Sequence, residues 1–245
     1  MKLMNLISLA ILSAWSLQVL AAPAAGPAPC TPLDLGFDSK TVNWVHVPMS
    51  KLKKDTVYKK SKEDGRTVLS ATANGSASLY TALIKPAITA PATVSWDWKT
   101  QALVPGADNR DKSREDAPLR VLFAFDGNKA ALPSDEQTRF NRAKKLSGRE
   151  LPYAVLMYIW SDLVAVDTVI PSAHTSQIKM IAVTSGASGL GAWQTVRRDL
   201  VADYRRAFGA DPGPLLGVAA MTDADNTGAK AVGQYADLKL QCAGG

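Results

Sequence analysis

The densest group of oxygen-bearing side chains lies between Leu215 and Leu240, LLGVAAMTDADNTGAKAVGQYADLKL. Asp223, Asp225 and Asn226, followed by Asp237 fourteen residues after the first, offer the carboxylate and amide oxygens that a hard cation takes, and calcium is the ion such a set suits. Gly228 falls at the turn position of a calcium loop, but Thr227 replaces a stronger ligand and Gln234 stands where a bidentate Glu belongs. The same residues also fit an Asx-turn, in which Asp and Asn side chains bond their own backbone.

A second chemistry is suggested by ATVSWDWKT, residues 92–100. Alternation places Trp96 and Trp98 on one face of a strand and Asp97 and Lys99 on the other. On an open face the two indoles would stack on sugar rings, with Arg120 and Trp160 as further ligand-binding candidates. On an inner face they are core. Asp97, Glu115 and Asp116 hold open a third option, a carboxylate pair for glycosidic cleavage, although the nearby Arg114 and Arg120 also make them an ion-pair group. Arg197, Arg198, Arg205 and Arg206 form either an anion-binding strip or a solvated helix face paired with Asp199 and Asp203. SGASGLG, residues 185–191, is neither a nucleophile elbow nor a phosphate loop. His46 and His174 lie far apart in the chain, without a recognisable nucleophile, and with two cysteines they make no zinc set.

These residues need β-structure to position them. Strands are expected over 42–47, 67–72, 77–84, 92–100, 119–125, 153–160, 178–184, 193–198, 215–221 and 234–240, from period-two alternation or short apolar runs bounded by turn residues. The last two read as a hairpin around the acidic turn. Residues 51–62 read as a basic connection. Two short helices fall in connections: 133–146, opened by Ser134 and Gln137 and ended by Gly148, and 199–208, ended by Gly209. With no strand–helix alternation, the fold class is mainly all-β, an antiparallel two-sheet sandwich of jelly-roll type.

Residues 1–22 read as a signal peptide: Lys2, an apolar run to Leu20, then small residues at a cleavage-type site. Residues 23–31 are a flexible lead-in, and 32–242 make one domain. Export places the protein in the periplasm or outside the cell. Cys30 and Cys242 then read most simply as a disulfide closing a loop of roughly 200 residues, contributing at most about 5 kcal/mol in the chain-entropy model, with two free thiols or pairing between chains as the alternatives. Net charge is +6 and falls to +5 without Lys2. That excess suits an anionic envelope polymer, but no aromatic-interleaved basic patch points to nucleic acid. No second long apolar run provides a transmembrane segment.

Five segments taken together carry a resemblance: WDWK at 96–99, REDAPLRVLFAF at 114–125, GRELPYAVLMYIW at 148–160, DYRRAFG at 203–209 and MTDADNTGAKA at 221–231. From about Trp44 to Leu240 the chain resembles the exported bacterial proteins grouped as domain-of-unknown-function family three-zero-four-seven. The resemblance implies one exported domain and no catalytic assignment. The expected function is a non-catalytic binding domain for a glycan or another envelope ligand. A carbohydrate-active enzyme and a partner-docking envelope protein are the alternatives.

Overall fold

The computed structural model describes residues 32–242 apart from 51, 90, 148 and 149. The expected signal peptide, the lead-in, Cys30 and the Cys242 side chain lie outside the described residues. In chain order the elements are β1 (Leu33–Asp34), β2 (Trp44–Pro48), β3 (Val57–Glu63), β4 (Arg66–Asn74), β5 (Ser78–Ile88), β6 (Pro91–Thr100), β7 (Ala117–Phe125), α1 (Ser134–Ser147), β8 (Ala154–Ser161), β9 (Val169–Pro171), β10 (Ile178–Ser185), β11 (Gln194–Asp199), α2 (Leu200–Phe208), β12 (Leu215–Asp223) and β13 (Lys230–Cys242).

The strands form two sheets. One has the order β11-β6-β13-β4-β3, with β1 also paired to β13; the other has the order β2-β5-β12-β7-β8-β10-β9. Every strand pair is antiparallel except β8 with β10. The sandwich expected from the sequence is therefore the observed fold, with one parallel pair within it. Among the described residues no helix is long and apolar enough to cross a membrane.

Alternation explains the core. Val94, Trp96 and Trp98 of β6 and Tyr235 and Leu240 of β13 point inward and meet Val121 and Phe123 of β7 and Leu156, Tyr158 and Trp160 of β8. Trp96 lies 5.2 Å from Tyr158 and Trp98 lies 6.3 Å from Trp160, centroid to centroid. On the other face of the seven-stranded sheet, Leu122, Met157, Met180, Ala219 and Met221 form a second apolar cluster.

Two expectations are corrected. Residues 57–63 are not a connection but the edge strand β3, whose VYKKSKE sequence shows no apolar alternation because most of its side chains are exposed. Lysines suit such an edge, since they deter pairing with another chain. The closing strands are also not a hairpin. β12 lies at the interior of one sheet, between β5 and β7, and β13 at the interior of the other, between β6 and β4. The acidic turn between them crosses from sheet to sheet. Each strand buries a different inner face, so the two meet across the core instead of sharing a ladder.

The helices form where expected. Asp199 caps α2 by accepting from Ala202 N, and Gly209 ends it in the left-handed region that favours glycine. Gln137 of α1 does not close a capping box; its Nε2 donates to the carbonyls of Leu132 and Ala130.

Candidate functional site

The indoles first considered for ligand stacking are inside the protein. Trp96 and Trp98 are 1% and 0% exposed, and they contact each other edge to face at 5.4 Å. Neither Nε1 has a hydrogen-bond partner among the described residues. Trp160 is equally buried, and its Nε1 donates to the Gly186 carbonyl at 3.0 Å. Inward-facing positions of a closed sandwich give a glycan no access to these rings, which corrects that expectation.

Arg120 is also buried, on the opposite face of its sheet. Its Nε donates to Asp223 Oδ1 at 2.8 Å, Nη1 faces the sulfurs of Met157 and Met180, and Nη2 donates to the Glu115 carbonyl. The guanidinium joins β7 to β12 and to the loop before β7.

The acidic turn is brought together in part. One oxygen each of Asp116, Asp223 and Asp225 lies within 4.8 Å of the others. Asp116 was absent from the expected ligand set, and Asp237 does not join it. The three carboxylates already have donors. Asp116 accepts from the backbone N–H groups of Asn226 and Thr227 and from the Thr227 hydroxyl. Asp223 Oδ1 accepts from Ala117 N as well as Arg120. Lys53 Nζ donates to Asp225 Oδ2. Asn226 turns its amide to the Lys112 carbonyl. Burial pushes the Asp223 carboxyl up to about 6, with the neighbouring Asp116 charge adding to the rise and Arg120 opposing it. The arrangement pins the 108–116 loop to the crossover turn.

Other candidates separate. Asp97 lies on the outer face of the six-stranded sheet, bound to Arg66 and Thr195, while Asp116 precedes β7 of the other sheet. They do not form an acid–base pair. Arg198 and Arg206 both reach Asp203 and Asp167, and Arg205 pairs with Asp211, so three of the four arginines of the expected strip are matched by carboxylates. His46 has a neighbour that its sequence position concealed: Ser78 Oγ lies 3.0 Å from Nε2. The Asp55 carboxylate approaches that same nitrogen at 3.8 Å, and Ser78 is fully buried. A relay needs the base to use its two nitrogens toward nucleophile and carboxylate, so this trio has the wrong geometry.

The surface that does combine an aromatic ring with hydrogen-bonding groups lies elsewhere. Trp193, immediately before β11, is the one described tryptophan that is not buried. The Arg66 guanidinium stands 4.2 Å and the Lys99 ammonium 4.7 Å from its ring centroid. Arg66 in turn donates to Asp97 at 2.6 Å and Asp237 at 2.7 Å. Asp237 has a positive φ of 52° at a bulge of β13, which aims its carboxylate at Arg66 across the sheet. Next to Arg66, residues Asp34, Asp38, Lys62, Asp237 and Lys239 line a surface groove of about 290 Å³. Hydrogen bonds from Lys62 and then Thr67 hold the Asp38 carboxyl down at about 2, so it stays charged. Sequence reading missed Trp193 and Arg66. The one available signal was a tryptophan two residues after a glycine-rich turn, at the edge of a strand.

A family model described as protein of unknown function (DUF3047) matches residues 42–239. No curated protein matches the chain. Among solved structures, the family 11 xylanase from Neocallimastix patriciarum aligns at a TM-score of 0.28 and 7% identity, covering 82% of this chain and 100% of that one. A loop-swap mutant of Xyn11A from the same organism aligns at 0.28 and 10%, with the same coverage. Likeness of that degree says nothing of activity.

Proposed function

This chain belongs to the DUF3047 family of proteins of unknown function, and from its own geometry we propose that it is a non-catalytic binding domain, exported to the periplasm or beyond, that holds an envelope glycan on the outer face of its six-stranded sheet. The observation that carries the proposal is Trp193. A partly exposed indole can stack on the apolar face of a sugar ring. Around it Asp97, Asp237 and Arg66 supply planar acceptors and donors, already oriented by one another. An indole flanked by fixed polar groups is the arrangement expected of a small-ligand site.

The binding role is favoured over a glycosidase because Asp97 lies on the outer face of one sheet and Asp116 precedes β7 of the other, each engaged with its own donors. Affinity electrophoresis of the purified protein through gels containing envelope polysaccharides tests the proposal. At least one polysaccharide should retard the protein, and Trp193→Ala should remove the retardation. Unchanged mobility in every gel would sink it.

A further inference from the structure

We infer that the glycan is uncharged and occupies at least two sugar subsites, one over Trp193 and one in the groove beyond Arg66. The inference rests on the binding role proposed above and adds the ligand's class and extent.

The first support is continuity. Arg66 stands against the Trp193 ring and is itself a wall of the groove. A ligand stacked on the indole therefore reaches groove-lining groups without leaving the sheet surface. The groove, at about 290 Å³, falls at the lower end of small-ligand sites, roughly 300–1,000 Å³. A ligand confined to it would not need Trp193.

The second support is charge. The groove is lined by three acids, Asp34, Asp38 and Asp237, and three bases, Lys62, Arg66 and Lys239. Lys62 is held by Asp38 at 2.6 Å, and Arg66 lies between Asp97 and Asp237. An anionic polymer would meet three carboxylates, and would have to displace Asp38 and Asp237 to reach Lys62 and Arg66. A hydroxyl group can donate to a carboxylate and accept from a guanidinium or ammonium without breaking either pair. The net positive charge of the whole chain thus does not extend to this surface, and the anionic polymer suggested by composition gives way to a neutral one.

Isothermal titration of the purified protein against two series tests the inference. The first is a neutral gluco- or manno-oligosaccharide ladder from one to six units. The second compares neutral polysaccharides with alginate and pectate. The expected result is affinity that rises about tenfold or more, on the order of 1.4 kcal/mol, from one unit to three, then levels off. Neutral polymers should bind more tightly than anionic ones, and added salt should have little effect. Trp193→Ala and Lys239→Ala should each weaken the trisaccharide, while only Trp193→Ala should weaken the monosaccharide. Tighter, salt-sensitive binding of alginate or pectate, or equal affinity for one and three units, would overturn the inference while leaving the binding role standing. No binding of any sugar would overturn both.

Discussion

Arg120 Nε and Asp223 Oδ1 lie 2.8 Å apart with both side chains almost fully buried, one from β7 and the other from β12. The pair lies on the side of its sheet away from the main core, beside Met157 and Met180. Removing either partner leaves an uncompensated charge in an apolar setting. Arg120→Met should therefore destabilise the fold by about 3–5 kcal/mol. Replacing both with apolar residues should cost less than the sum of the single changes. Urea denaturation of the three variants provides the comparison, and strict additivity would contradict the pairing.

The pH dependence of the same residue follows from its raised pKa. Asp223 takes up a proton near pH 6 in the folded protein, against an ordinary value of 3.8. Between those limits the folded state binds more protons than the unfolded state. Lowering the pH from 7 to 4 therefore favours folding at this residue, and raising it through 6 removes that contribution. Carbon-13 NMR of the carboxyl should give a midpoint near 6, and Asp223→Asn should remove this component from the stability profile. A midpoint near the ordinary value would refute the assignment.

Gly233 sits where β13 crosses over β7 and β12. A Cβ built on it would stand 2.6 Å from both the Pro118 carbonyl and the Thr222 hydroxyl. The Thr222 hydroxyl is itself committed to Pro118 O and Tyr235. Gly233→Ala should destabilise by about 1–3 kcal/mol, the usual range for overpacking. A thermal melt at or above the wild-type midpoint would rule this out.

Trp98 is a core residue whose indole N–H has no partner among the described residues. Trp98→Phe keeps an aromatic ring against Trp160 and removes a buried donor that lacks an acceptor. Its loss should stay below about 2 kcal/mol, against roughly 3–5 kcal/mol for Trp98→Ala. Equal losses in the two variants would contradict this account.

Calcium offers a direct test of the crossover turn. Its carboxylates already accept from Arg120, Lys53 and backbone N–H groups. Millimolar calcium should move the melting midpoint of the wild type no more than that of Asp225→Ala. A saturable rise in the wild type alone would assign the ion to Asp116, Asp223 and Asp225.

Local chemistry was legible where one strand or helix sufficed to express it. Alternation at 92–100 predicted that Trp96 and Trp98 share a face, and Gly209 marked the end of α2. Alternation did not reveal which face was inside, because that depends on the opposing sheet. β3 was missed because its exposed, lysine-rich side chains carry no burial pattern. Ser78 lies thirty-two residues from His46 in the chain, so the two could be found together only after β2 had paired with β5.

The candidate site follows the same division. Residue order alone established a mainly β domain with helices in its connections, because strand period and cap chemistry are short-range properties. Only the packed sheets decided that β12 and β13 enter different layers, that Asp116 joins the acidic turn and that Asp237 leaves it for Arg66. Trp193, Arg66 and Asp237 come from three separated segments, and the relation among them is set by strand order and register, which depend on long-range pairing that no local window contains.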